Sequence, residues 1–271
     1  MALEFIEGLD INVQSWGSGS PSLVFVHGLA CDLEDWQPQV ERLAGRFRCI
    51  ALDLPGHGRS GLPANGDVQH LARAVCTVKS LHGGGRTVLI GHSLGCRVIL
   101  NAMSLSPEGV AGLVLIEQNL VTGHDVEAAV AALGARIQQV GLHNFLRGRF
   151  AAMFSRESDP AFRMKALSRV DRMNAHFTQE LLGSAMRWEA QTASQLATLK
   201  VPVLLLQGTC LDERFEWHHL ESGMTTPWIT AVLEHVPQAR FQLIKDTGHF
   251  AQVEAAEEVS KCIGSFVGGL Q

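Results

Sequence analysis

The sequence predicts an α/β protein with a mostly parallel central sheet covered by helices on both faces. Three observations carry that expectation. Short runs such as Ser22–Val26, Arg48–Leu52, Arg86–Ile90 and Gly112–Ile116 are continuously apolar rather than alternating, as strands buried on both faces are. Helical patterns alternate with them, for example Leu71, Val75 and Val78 at i, i+4 and i+7. Gly- and Pro-bearing loops close the runs: His27-Gly28, Asp53-Leu54-Pro55-Gly56 and Gly91-His92-Ser93-Leu94-Gly95.

In chain order, Ile11–Trp16 alternates and ends at Gly17-Ser18-Gly19-Ser20-Pro21, so it forms one arm of an N-terminal hairpin. Pro38–Leu43 makes a short helix with Val40 and Leu43 inward, and Val68–Leu81 makes a longer one, ended by Gly83-Gly84-Gly85. Cys96–Met103 lacks Pro and Gly and continues as a helix after the serine loop. Two further strands are expected late, at Val201–Gln207 and Arg240–Ile244. Between Asn119 and Thr198 no strand-like run occurs, only helical patterns such as Val126-Val130-Leu133. About eighty residues exceed one crossover, so the spacing predicts a core of residues 1–118 and 199–271 carrying a helical lid over 119–198.

Composition bounds the function. A chain of 271 residues, 46% hydrophobic and 18% charged, can fill one large core. Its net charge of -5 argues against nucleic acid or an anionic membrane as the main partner and leaves a small-molecule substrate. No apolar run approaches the roughly 20 residues that span a bilayer. The acids in Met1–Glu7 stand where a secretory signal would carry basic residues, so a cytoplasmic location is expected. Six scattered cysteines show neither a C-x-x-C pair nor zinc spacing and read as free thiols. His218-His219 has no third ligand in sequence, so neither metal nor cofactor is expected. Tyrosine is absent, which excludes a phenolic acid from any mechanism.

The chemistry concentrates at Gly91–Gly95, because a G-x-S-x-G between a strand and a helix is a nucleophile elbow that lifts the Ser93 hydroxyl above the sheet edge. Serine needs a base, and the base needs an orienting acid. His249, directly after the last strand, is the expected base. Asp212, in the loop after Gln207, is the first candidate acid, and Glu117, at the end of the strand after the elbow helix, is its alternative. The backbone N–H groups of Leu94 and Leu29 are expected to form the oxyanion hole, with His27 holding the latter's loop in shape.

Taken together, His27-Gly28, Trp36, Asp53–Ser60, the elbow and Gly248-His249 resemble the α/β-hydrolase family. The resemblance implies a serine hydrolase that cleaves a carboxylic ester, thioester or lactone of a small, mainly apolar substrate through an acyl-enzyme. The family's acid usually stands where this chain has Leu211, one residue before Asp212; some members take it from the strand after the nucleophile, which here is Glu117. A narrower likeness, through Cys31–Gln37, Ser93–Val98 and Asp212–Phe215, is to the 2-succinyl-6-hydroxy-2,4-cyclohexadiene-1-carboxylate synthases. It implies a lyase alternative in which Arg97 and lid arginines hold substrate carboxylates; cofactor-free dioxygenases with the same base are another. Trp36, Trp188 and Phe250 join Arg97 as candidate substrate contacts.

Overall fold

A computed structural model describes residues 3–120, 125–212 and 216–270. The chain begins with β1 (Leu3–Ile6), β2 (Leu9–Trp16), β3 (Ser22–Val26), α1 (Gln37–Leu43), β4 (Arg48–Leu52), α2 (Val68–His82) and β5 (Thr87–His92). Then come α3 (Leu94–Leu105) and β6 (Val110–Ile116). The stretch that follows is helical: α4 (Val126–Val140), α5 (Leu142–Ala151), α6 (Pro160–Val170), α7 (Ala175–Trp188) and α8 (Thr192–Thr198). The chain closes with β7 (Val203–Gln207), β8 (Thr209–Leu211), β9 (Trp217–His219), α9 (Pro227–His235), β10 (Arg240–Leu243), α10 (Ala251–Glu254) and α11 (Ala256–Gly268).

Eight strands form one sheet in the order β1-β2-β4-β3-β5-β6-β7-β10, antiparallel at β1–β2 and β2–β4 and parallel elsewhere. The continuously apolar runs are explained by strand alternation. In β3, Val24 and Val26 join the cluster under α2, α3 and α9, while Leu23 and Phe25 join the cluster under α1 and α11. The same split holds for Leu89 against Val88 and Ile90 in β5. Both faces are thereby removed from water, which is the main source of stabilisation for such a sheet. No helix among the described residues is long and apolar enough to cross a membrane.

The expected strands and helices recur at these places; β1, the β8–β9 ribbon, α9, α10 and α11 were not foreseen. The helical stretch between β6 and β7 is tied to the core by charge. Arg169 of α6 reaches Asp35 at 2.7 Å, with both side chains buried, and also pairs with Asp32. Another tie is to the base loop, where the His249 N–H donates to the Met153 carbonyl at 2.7 Å.

Candidate active site

Ser93 sits between β5 and α3 with φ 53° and ψ -119°, a region costly for a residue with a Cβ. Two glycines make the turn possible. A Cβ on Gly91 would fall 2.6 Å from the Gly95 backbone, and one on Gly95 would fall 2.2 Å from the Val26 carbonyl. The strain is held by a hydrogen bond from Ser93 N–H to the Ile116 carbonyl at 2.9 Å.

His249 brings its Nε2 to 2.9 Å from Ser93 Oγ. Its backbone is fixed from both sides: the N–H by Met153, and the carbonyl by His92 Nε2–H at 2.8 Å. Burial, reinforced by the Arg149 guanidinium, lowers the His249 pKa to about 3, against an opposing pull from Glu254. The ring is therefore neutral at rest, as a proton acceptor must be.

The carboxylate beside this imidazole is Glu117, not Asp212. His92 and Ile116 are register partners in β5 and β6, so the residues that follow them, Ser93 and Glu117, leave the sheet side by side. Glu117 is fully buried at φ 53°, with Oε2 3.7 Å from His249 Nδ1. It accepts hydrogen bonds from the Gly208 N–H and the Thr209 hydroxyl. Burial pushes its pKa up to about 8, while those two donors pull it down. The separation from Nδ1 exceeds a hydrogen bond, and Nδ1 has no hydrogen-bond partner among the described residues.

Asp212, the first candidate from sequence, lies elsewhere for a reason of register. After β7 the chain turns into the β8–β9 ribbon, in which Leu211 pairs with Trp217 and both line the cavity. Asp212 is one residue further and so faces away. Its Oδ2 is 2.9 Å from His218 Nε2, and its Oδ1 accepts from the Glu216 N–H at 2.9 Å. The expectation that His218 lacks further ligand-type neighbours also needs correction. Ligand-type atoms of Asp212, Glu216 and His218 lie within 4.8 Å of one another on this partly exposed face.

The cavity above Ser93 has a volume of about 570 Å³ and mostly apolar walls. Leu29 and Leu94 both border it, and neither N–H is engaged in a hydrogen bond among the described residues. His27 behaves as expected. Its Nδ1–H donates to the Gly28 carbonyl at 2.7 Å, and its Nε2 accepts from the Leu54 N–H at 2.9 Å, so it shapes the loop.

Of the candidate substrate contacts, Phe250 and Arg97 line the cavity. Arg97 is engaged with Glu189 at 2.8 Å and with the Ala185 carbonyl at 2.8 Å. Trp36 and Trp188 do not line it. Trp36 is fully buried against Phe25, in the cluster under α1 and α11, and Trp188 is buried beneath the Arg97 guanidinium. A large aromatic after a loop carries the same sequence signal whether it meets substrate or core, and here the core took both. Sequence reasoning missed Trp217, His92 as a backbone lock, and Thr209. Only their neighbours in space give them meaning.

Comparison with known proteins agrees with this geometry. A model of the Alpha/beta hydrolase family matches residues 23–261. The chain is 28% identical over 263 residues to the dihydrolipoyllysine-residue acetyltransferase component of an acetoin cleaving system from Pseudomonas putida, covering 93% of this chain and 64% of that protein. The chain thus spans less than two thirds of that relative's length. It is 41% identical over 100 residues to the 2-succinyl-6-hydroxy-2,4-cyclohexadiene-1-carboxylate synthase of Salmonella typhimurium (strain LT2), 36% of this chain and 38% of that protein. An esterase from Exiguobacterium antarcticum superposes with a TM-score of 0.79 at 20% identity, over 99% of both chains. With the strained serine turn, the adjoining histidine and a family match over most of its length, the chain belongs to the alpha/beta hydrolase family and is an enzyme of that type.

Proposed function

We propose that the protein is a serine hydrolase cleaving a carboxylic ester, thioester or lactone of a small, mainly apolar substrate, with Ser93, His249 and Glu117 as its triad. The observation that carries this reading is the 2.9 Å contact between His249 Nε2 and Ser93 Oγ at the floor of an apolar cavity.

In this mechanism Ser93 Oγ attacks the carbonyl carbon while its proton passes to His249 Nε2. The negative charge on the carbonyl oxygen is met by the Leu29 and Leu94 N–H groups, the latter at the start of α3 where the helix dipole adds to it. The imidazolium then returns the proton to the departing alkoxide or thiolate, leaving Ser93 acylated. Water, deprotonated by the same imidazole, releases the acid and restores the serine. Once ionised, Glu117 favours the imidazolium electrostatically and keeps the proton of the neutral ring on Nδ1. The reaction needs no cofactor. Six free cysteines suit a reducing compartment, and we place the enzyme in the cytoplasm.

A lyase handling a polycarboxylate would need several unengaged cations in the cavity. Instead Arg147 holds Asp171, Arg163 holds the Ser155 carbonyl, Arg169 holds Asp32 and Asp35, Arg172 meets Ser168, and Arg187 holds Glu127. Arg136 and Arg149 of the same helical stretch do line the cavity, and Arg136 donates to Gln139 Oε1 at 2.8 Å. These engagements favour the hydrolase.

The test is labelling by a fluorophosphonate together with turnover of short-chain p-nitrophenyl esters. Wild-type protein is expected to be labelled at Ser93 and to hydrolyse the esters, and Ser93→Ala to do neither. Unlabelled wild-type protein, or full ester turnover by Ser93→Ala, would overturn the proposal.

A further inference from the structure

For Ser93 to lose its proton, the imidazole plane must present Nε2 to Oγ. The hydrogen bonds to Met153 and His92 fix the His249 backbone but leave the ring free to rotate. At 3.7 Å, Glu117 attracts the ring without the directionality of a hydrogen bond. Something else must hold it.

The Trp217 indole stands 4.4 Å from the imidazole, centroid to centroid, inclined at 49°. The other rings around His249 are further off, His92 at 5.1 Å and Phe250 at 5.9 Å. We propose that Trp217 is a positioning residue for His249, delivered to it by the β8–β9 ribbon. The inference rests on the reading of His249 as the base.

Two further observations support it. Ribbon register places Trp217 with Leu211 on the face that lines the cavity, while Asp212 and His218 occupy the other face. A one-residue slip would exchange the indole for a charged or polar side chain at the imidazole. In addition, Trp217 Nε1 is shielded from solvent yet has no hydrogen-bond partner among the described residues. Buried indoles ordinarily find a partner. Here no hydrogen bond of that N–H anchors the ring, and its packing against His249 accounts for its place.

The contact has a chemical consequence. The resting imidazole is neutral, and the positive charge appears only when Ser93 gives up its proton. An indole face within about 6 Å attracts a cation far more than a neutral ring. The stabilisation therefore grows along the reaction coordinate and is expressed in kcat rather than KM.

The experiment compares Trp217→Phe, Trp217→Leu and Trp217→Ala in p-nitrophenyl butyrate hydrolysis, with folding checked by circular dichroism. Phe should keep kcat within about threefold of wild type, whereas Leu and Ala should lose about five- to thirtyfold with KM little changed. NMR titration of the His249 ring, identified by its loss in His249→Gln, adds a readout that a structural role would not move. Its midpoint should fall further in Leu, which keeps water out but lacks the π face that favours the charged ring, and stay at the wild-type value in Phe. Full kcat in Ala or in Leu, or a midpoint in Leu that does not fall, overturns the proposal. If Ala does not fold, Leu carries the kinetic test alone. Should His249→Gln itself retain wild-type activity, the reading of the base has failed, and that result is distinct from any of these.

Discussion

Replacing Glu117 by Gln separates the two candidate acids. Compared above pH 8, where Glu117 is ionised, the substitution keeps the volume but removes the charge that faces His249 Nδ1 across 3.7 Å. At an effective dielectric of about 20, a carboxylate and an imidazolium at that distance attract by about 4–5 kcal/mol. Each 1.36 kcal/mol is tenfold in rate, so kcat for p-nitrophenyl butyrate should fall by about three orders of magnitude. That is somewhat less than the roughly 10⁴-fold known for a hydrogen-bonded acid in another triad, as the looser contact implies. Asp212→Asn removes a charge that meets His218 and the Glu216 N–H on the far side of the ribbon, and it should change kcat by less than about threefold. The assay is initial-rate kinetics, with Ser93→Ala as the baseline and thermal melts to confirm that each variant folds. A loss of less than about tenfold in Glu117→Gln, or a larger loss in Asp212→Asn, would refute the assignment.

Three other outcomes are expected. Because burial raises the Glu117 pKa from 4.5 to about 8, the native state retains a proton that the unfolded chain releases; stability relative to Glu117→Gln should be greatest below pH 4.5 and fall as pH rises to 8, as urea titrations across that range would show. Arg169→Ala leaves Asp35 buried without its cation and should cost about 3–5 kcal/mol in urea unfolding; a cost below about 1 kcal/mol would mean that the tie is unimportant. Gly28→Ala puts a Cβ 3.1 Å from His92 Nδ1 and 3.2 Å from the Ser93 Cβ, and the displaced elbow should lower kcat by about tenfold or more with little change in melting temperature. Unchanged kcat in that variant would show that the elbow yields without misaligning.

Local pattern made the scaffold legible. Continuous apolar runs placed β3, β4, β5 and β6, since a strand buried on both faces has no polar side to alternate with. The elbow was readable because its strain demands Gly on both sides of Ser93. His249 was readable from its position after the last strand. The short β8–β9 ribbon was not, because three-residue strands carry too little periodicity to be distinguished from a loop. Missing it concealed the reason why Asp212 and Leu211 face opposite ways.

The sequence by itself determined the main run of strands and helices and singled out Ser93 and His249, which the fold brings together. These follow from side-chain period and from turn geometry, which are properties of neighbouring residues. Only tertiary structure set Glu117 rather than Asp212 beside the imidazole, assigned Trp36 and Trp188 to the core, and set Trp217 on that ring. Each of those outcomes depends on the register between segments far apart in the chain, and a shift of one residue in that register reverses the face a side chain presents.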